Sequence, residues 1–118
     1  MDIEKASEFA QHWIGSWNSH NLEEILEHYA EDLEFTSPLV KERFPDQNGT
    51  ISNKGKLREY FSIGLKTNPS LSFNLLEVLV GVNELILYYE NARGGRTAET
   101  FRFNDIGKIV EVHSCYSS

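Results

Sequence analysis

The stretch "TAETFRFNDIGKIVEVHSCY", residues 97–116, decides how this chain is read. Thr97, Glu99, Phe101 and Phe103 alternate with Ala98, Thr100 and Arg102. After "NDIG", Ile109, Glu111, His113 and Cys115 alternate with Val110, Val112, Ser114 and Tyr116. A period of two is that of a half-buried strand, and a short turn rich in Asn, Asp and Gly joins antiparallel neighbours. One set in each strand must face a core and the other must face away. Periodicity alone leaves open which set of the last strand faces inward, and so leaves open whether His113 faces a pocket or an outer surface.

Working backwards, residues 71–80 and 84–91 carry the same Leu, Val, Ile and Tyr texture and are separated by "GVN" and "ARGG". Short turns between all of these segments predict an antiparallel meander. "ARGG" is a hairpin turn and no phosphate loop, because no helix follows it.

Before Pro69 the period changes. Ile3, Ala6, Ala10, Trp13, Ile14 and Trp17 are three or four apart, which predicts a helix with one apolar face. Asn21 is placed to cap a second helix whose buried stripe is Leu22, Ile25, Leu26 and Tyr29, with Glu23, Glu24, Glu27 and His28 toward water. Leu33, Phe35 and Ser37 alternate with Glu34 and Thr36 as a strand, and Asp32 is expected to bond backbone N–H groups at the corner before it. Residues 38–53, with Pro38, Pro45 and "DQNGT", read as a loop. Asn53 caps a third helix carrying Leu57, Tyr60, Phe61 and Leu65 inward. Helices first and a curled sheet second give an α+β layout, helices on one sheet face, in a single domain over residues 1–118.

Composition narrows the function. The 118 residues are 40% hydrophobic, enough for one core without metal or disulfide staples. The single cysteine, Cys115, suits a reducing compartment, and no apolar run approaches a membrane span or a secretory signal. A cytoplasmic protein without membrane contact is expected. Net charge is −7, with −8 in residues 1–34 and +1 in the remainder. No basic stripe offsets this, so nucleic acid is not expected as a partner. Glu24 and His28 have the spacing of a metal pair but fall on a solvent face; no metal or cofactor is expected.

The segments "WIGSWNSHNLEEILEHYAEDLEFTSP" (13–38), "NKGKLREYF" (53–61) and "FRFNDIGKIVEV" (101–112) together resemble the SnoaL-like group of the nuclear transport factor 2 superfamily, over roughly residues 5–116. The resemblance implies a cystatin-like cone in which a strongly bent, mainly antiparallel sheet wraps three N-terminal helices and encloses an apolar pocket. It implies that Glu99 faces the pocket with Thr97, Phe101 and Phe103, and that Val112, Ser114 and Tyr116 do so from the last strand. His113 and Cys115 then fall on the outer face, where many relatives meet a second subunit.

Ketosteroid isomerases are relatives that use an Asp base, with a Tyr and a protonated Asp as oxyanion donors. Matched to them, Ser37 stands where the base would be and Trp13 where the Tyr would be, while Glu99 keeps a carboxyl. Serine abstracts no proton at neutral pH without a partner base. The pocket expected from the resemblance is lined by Trp13, Trp17, Tyr29, Phe35, Ser37, Tyr60, Phe101, Val112, Ser114 and Tyr116, with Glu99 as the candidate catalytic group and Trp13 and Tyr116 as hydrogen-bond donors. On the alternative reading, Glu99 pairs with Arg93 or Arg96 near the hairpin, or with an internal water. Three functions follow as expectations: a domain binding a small apolar or amphipathic molecule, an acid–base enzyme acting on a cyclic or carbonyl compound, or a module that homodimerises through the outer sheet face.

Overall fold

The computed structural model describes residues 1–117; Ser118, the end of the expected domain, lies outside the described residues. α1 (Ile3–Asn18) starts where the Asp2 side chain accepts from the backbone N–H of Lys5 at 2.8 Å. Ala6, Ala10, Trp13 and Trp17 form its buried stripe, while Ile3 stays exposed. Asn21 caps α2 (Leu22–Glu27), as its sequence position predicts. The helix stops earlier than expected, and Tyr29 belongs to β1 (Tyr29–Thr36), where it is buried from a strand. His28 does not face water. It is half-buried, edge-on to Phe9, and bonded to His12. Asp32 is exposed and its carboxylate makes no hydrogen bond among the described residues, so it does not hold the corner. It sits in the irregular part of β1, between the points where Tyr29 and Glu34 pair in shifted register.

The segment read as a loop is partly regular. Ser37 caps a short helix, α3 (Pro38–Arg43), whose first residue is proline, followed by a 3-10 turn at Pro45–Gln47 and a two-residue strand, β2 (Thr50–Ile51). Proline is at home in a helix's first turn, where its missing N–H costs nothing. Six residues with only Val40 buried carry too little periodicity to show this in sequence. Gly49, at φ +84°, returns the chain so that its carbonyl accepts from Ser37 N–H at 3.0 Å. Asn53 caps α4 (Lys54–Thr67), which buries Leu57, Tyr60 and Phe61.

The meander is β3 (Asn74–Val80), β4 (Glu84–Glu90), β5 (Arg96–Phe103) and β6 (Ile109–Tyr116). The six-stranded order is β2-β1-β6-β5-β4-β3, antiparallel except where β1 runs parallel to β6. Register shifts in β1–β6, β3–β4 and β5–β6 mark bulges, which bend and twist a sheet. Leu85, Leu87, Tyr89, Thr97, Glu99, Phe101, Phe103, Val112 and Ser114 are buried on one face. His113 and Cys115 are exposed on the other, which settles the orientation of the last strand.

Aromatic rings join the layers. Trp13 stacks on Phe73 with centroids 5.9 Å apart and meets Phe101 edge-on at 5.2 Å, and Trp17 meets Phe61 edge-on at 4.8 Å. Such pairs add about 0.5–1.5 kcal/mol each beyond the area they bury.

Candidate functional site

Between the helices and the inner sheet face lies a cavity of about 310 Å³. Trp13 and Trp17 of α1, Phe35 of β1, and Tyr60 and Phe61 of α4 form its apolar walls with Leu71 and Phe73. Glu99, Tyr89 and Tyr116 supply polar groups from the sheet. Gly64 and Asn68 at the end of α4, Leu39, Glu42 and Arg43 of α3, and the Asn91–Arg93 turn complete the lining, and the charged side chains among them are solvent-exposed.

Glu99 is the chemical centre. It is 3% exposed, and no arginine acts on it: Arg93 lines the cavity from its turn, and Arg96 bonds the Tyr88 hydroxyl. The proposed ion pair with either residue is therefore absent among the described residues. Burial raises the Glu99 pKa to about 7, partly opposed by Tyr89 and Ser114. A carboxyl moved out of water disfavours its charged form, and this cost outweighs the two neutral donors. Tyr89 donates its hydroxyl to Glu99 Oε1 at 2.6 Å. Ser114 stands opposite Glu99 across the β5–β6 ladder, close enough to lower its pKa, yet its hydroxyl oxygen lacks a hydrogen bond of full geometry.

The other hydroxyls remain neutral near pH 7. Burial pushes Tyr60 up to about 12 and Tyr116 well up, and the Ser37 hydroxyl beside both phenols only partly counters this. Ser37 itself accepts from Leu39 N–H at 3.2 Å as the α3 cap. At the expected position of the base, then, stands a helix cap.

Several expected lining residues are absent from the wall. Tyr29, Phe101, Val112 and Ser114 are buried and do not line the cavity, and neither does Ser37, whose hydroxyl caps α3. Trp13 lines the cavity but is no free donor, because its indole N–H donates to the Tyr29 hydroxyl at 3.1 Å. Trp17 is different: its N–H is buried without a partner among the described residues. Tyr89 was missed, although Leu85, Leu87 and Tyr89 share one phase of β4 and the short "ARGG" turn brings that phase opposite Thr97 and Glu99. Glu42, Arg43 and Asn68 were missed because nothing in local periodicity points them at a cavity.

Elsewhere, His28 Nδ1–H donates to the Ile25 carbonyl at 3.1 Å, leaving Nε2 to accept from His12 Nδ1–H at 2.8 Å. Glu24 lies 3.8 Å from the other His12 nitrogen. Among the described residues no three such side chains converge as a metal site. No described helix is long and apolar enough to cross a membrane.

The family model described as "SnoaL-like domain" matches residues 10–112. A SnoaL-like protein of unknown function from Burkholderia thailandensis superposes with a TM-score of 0.96 at 29% identity, covering 99% of this chain and 98% of that one. A provisionally assigned isomerase of the SnoaL-like family from Agrobacterium tumefaciens gives 0.77 at 14% identity, over 98% and 100% of the two chains. A provisionally assigned polyketide cyclase from Sinorhizobium meliloti gives 0.74 at 11% identity, over 92% and 94%. At such identities the last two likenesses concern the fold alone. No curated protein matches in sequence.

Proposed function

This chain belongs to the SnoaL-like domain family, and from that premise we propose that it binds a small, largely apolar molecule whose carbonyl or hydroxyl oxygen reaches Glu99. The observation that carries the reading is a buried carboxyl facing an aromatic-walled cavity with no cationic partner. A protonated carboxyl there can donate to an oxygen of the guest. The cavity is at the small end of the roughly 300–1,000 Å³ typical of ligand sites, so a compact ring suits it better than a fused polycycle.

The test is a titration with cyclohexanone, followed through the indole N–H resonances of Trp13 and Trp17. Both signals should shift saturably, and Glu99→Leu should weaken binding by about tenfold, the loss of one buried hydrogen bond to a carboxyl. Indole signals that do not move up to the solubility limit would end this reading.

One observation favours catalysis as a second reading. A group with a pKa of about 7 is suited to give and take protons near neutral pH. The same ketone in deuterated buffer should then exchange protons beside its carbonyl, with a midpoint near pH 7 and no exchange above background in Glu99→Gln.

We also propose a homodimer through the outer sheet face. Leu79, Ile86, Thr100, His113 and Thr36 stand in one cross-strand row there, and Leu79 is 47% exposed. Sedimentation equilibrium at micromolar concentration should give twice the chain mass; a single 13.5 kDa species would remove the dimer.

A further inference from the structure

The two arginines that line the cavity are set apart from the rest by their partners. Arg58 pairs with Glu23, Arg102 with Glu111 at 2.8 Å, and Arg96 bonds the Tyr88 hydroxyl. Arg43 and Arg93 line the cavity from separate segments, α3 and the β4–β5 turn, and neither forms an ion pair among the described residues. Arg43 has only a long 3.4 Å contact with Thr67 Oγ1. A protein with 18 acidic and 11 basic residues has carboxylates to spare. The charges also reach inward: Arg43 is felt by the Tyr60 phenol and Arg93 by the Tyr116 phenol.

We infer that the ligand is an amphipathic acid, with its apolar body and oxygen in the cavity and a carboxylate held outside by Arg43 and Arg93. This rests on the pocket reading above and adds the chemistry of the ligand's outer end. An anion is disfavoured at the buried floor, where no cation offsets its desolvation and where it would hold the Glu99 carboxyl in its neutral form. Arg43 and Arg93 both line the cavity from solvent-exposed positions, and a guanidinium group is a fork-shaped donor that matches a carboxylate. Glu42 lines the same end and opposes them, which leaves one net positive charge there on a chain of net charge −7. That opposition makes the inference sharp, because removing Glu42 and removing the arginines must act in opposite directions.

The experiment compares a cyclohexanone bearing an acetate arm with the same ketone bearing a neutral acetamide arm, each titrated at low and at physiological salt and read from the two indole N–H signals. The acid should bind about fivefold more tightly than the amide at low salt, the scale of one exposed ion pair, and the advantage should shrink with salt. Changing both Arg43 and Arg93 to Gln should bring the two ligands to parity. Glu42→Gln should widen the acid's advantage. All three positions are exposed, and unchanged indole signals in the ligand-free variants verify the fold. Amide binding that equals or exceeds acid binding would overturn the acid inference and leave the pocket reading standing. If neither compound binds, the pocket reading fails and takes this inference with it.

Discussion

Glu99 and Glu42 line one cavity and differ in almost everything that governs a carboxylate. Glu99 is buried between β-strands, receives a hydroxyl from Tyr89, and is held near neutrality by desolvation. Glu42 is exposed on a six-residue helix, with Arg43 as its chain neighbour. The floor therefore works through neutral donors and packing, where each contact is strong and each error costly. The mouth works through charge, where solvent and salt weaken each contact and tolerate change. Position within one cavity, rather than residue type, sets the chemistry available.

The largest break in this contrast should come from the packed wall. Trp13 is 1% exposed, stacked on Phe73 and bonded to the Tyr29 hydroxyl. Trp13→Ala should cost about 3–5 kcal/mol in denaturant unfolding, from lost contacts and a void that the sheet cannot collapse to fill. A loss under about 1 kcal/mol would mean that the wall is already loose.

Next comes Glu99→Gln. The folded pKa, about 7, lies above the ordinary 4.5, so the native state holds its proton more tightly than the unfolded chain does. Natural-protein stability should be full below pH 4.5, fall as pH rises toward 7, and level off above it. The whole penalty is about 3 kcal/mol. The Gln variant lacks that penalty, so it should match the natural protein near pH 4 and exceed it at pH 8. A variant less stable at pH 8, with the deficit shrinking in acid, would mean that the carboxylate is charged and paired.

The smallest effect belongs to the mouth. Glu42→Gln should change stability by less than about 0.5 kcal/mol from pH 5 to 8, as a surface substitution without partners does. A larger effect would show that the rim is part of the packed structure and would erase the contrast.

The same division explains what the sequence made legible. Strands β5 and β6 announced themselves by alternation, and resemblance then supplied their phase: Thr97, Glu99, Phe101 and Phe103 are all buried. The caps at Asn21 and Asn53 were legible because a side chain three residues from its partner is a local fact. The site was less so. Trp13 loses its donor to Tyr29, sixteen positions along the chain, and Tyr89 reaches Glu99 across a hairpin. These are pairings of tertiary structure, which no period of two or 3.6 encodes. The rim residues Glu42 and Arg43 stand on a helix too short to have a period.

The parallel pairing of β1 with β6 carries a consequence for how the chain folds. Tyr29 pairs with Ile109 and Phe35 with Val112, so the main partner of β1 lies beyond the other meander strands in sequence. Its other neighbour, β2, offers two residues. Closing so long a stretch of chain before contacts compensate is slow, and proteins dominated by such pairings fold late and cautiously. The meander β3–β6, built from short hairpins, should form before β1 and its flanking helices dock onto it; pulse-labelled hydrogen exchange during refolding that protects β1 as early as β5 would contradict this order. Until then the inner edge of β6 is an open strand with unpaired backbone groups, a template for pairing with another chain. The step that completes the cavity wall at Phe35 is thus also the step that ends the chain's exposure to aggregation.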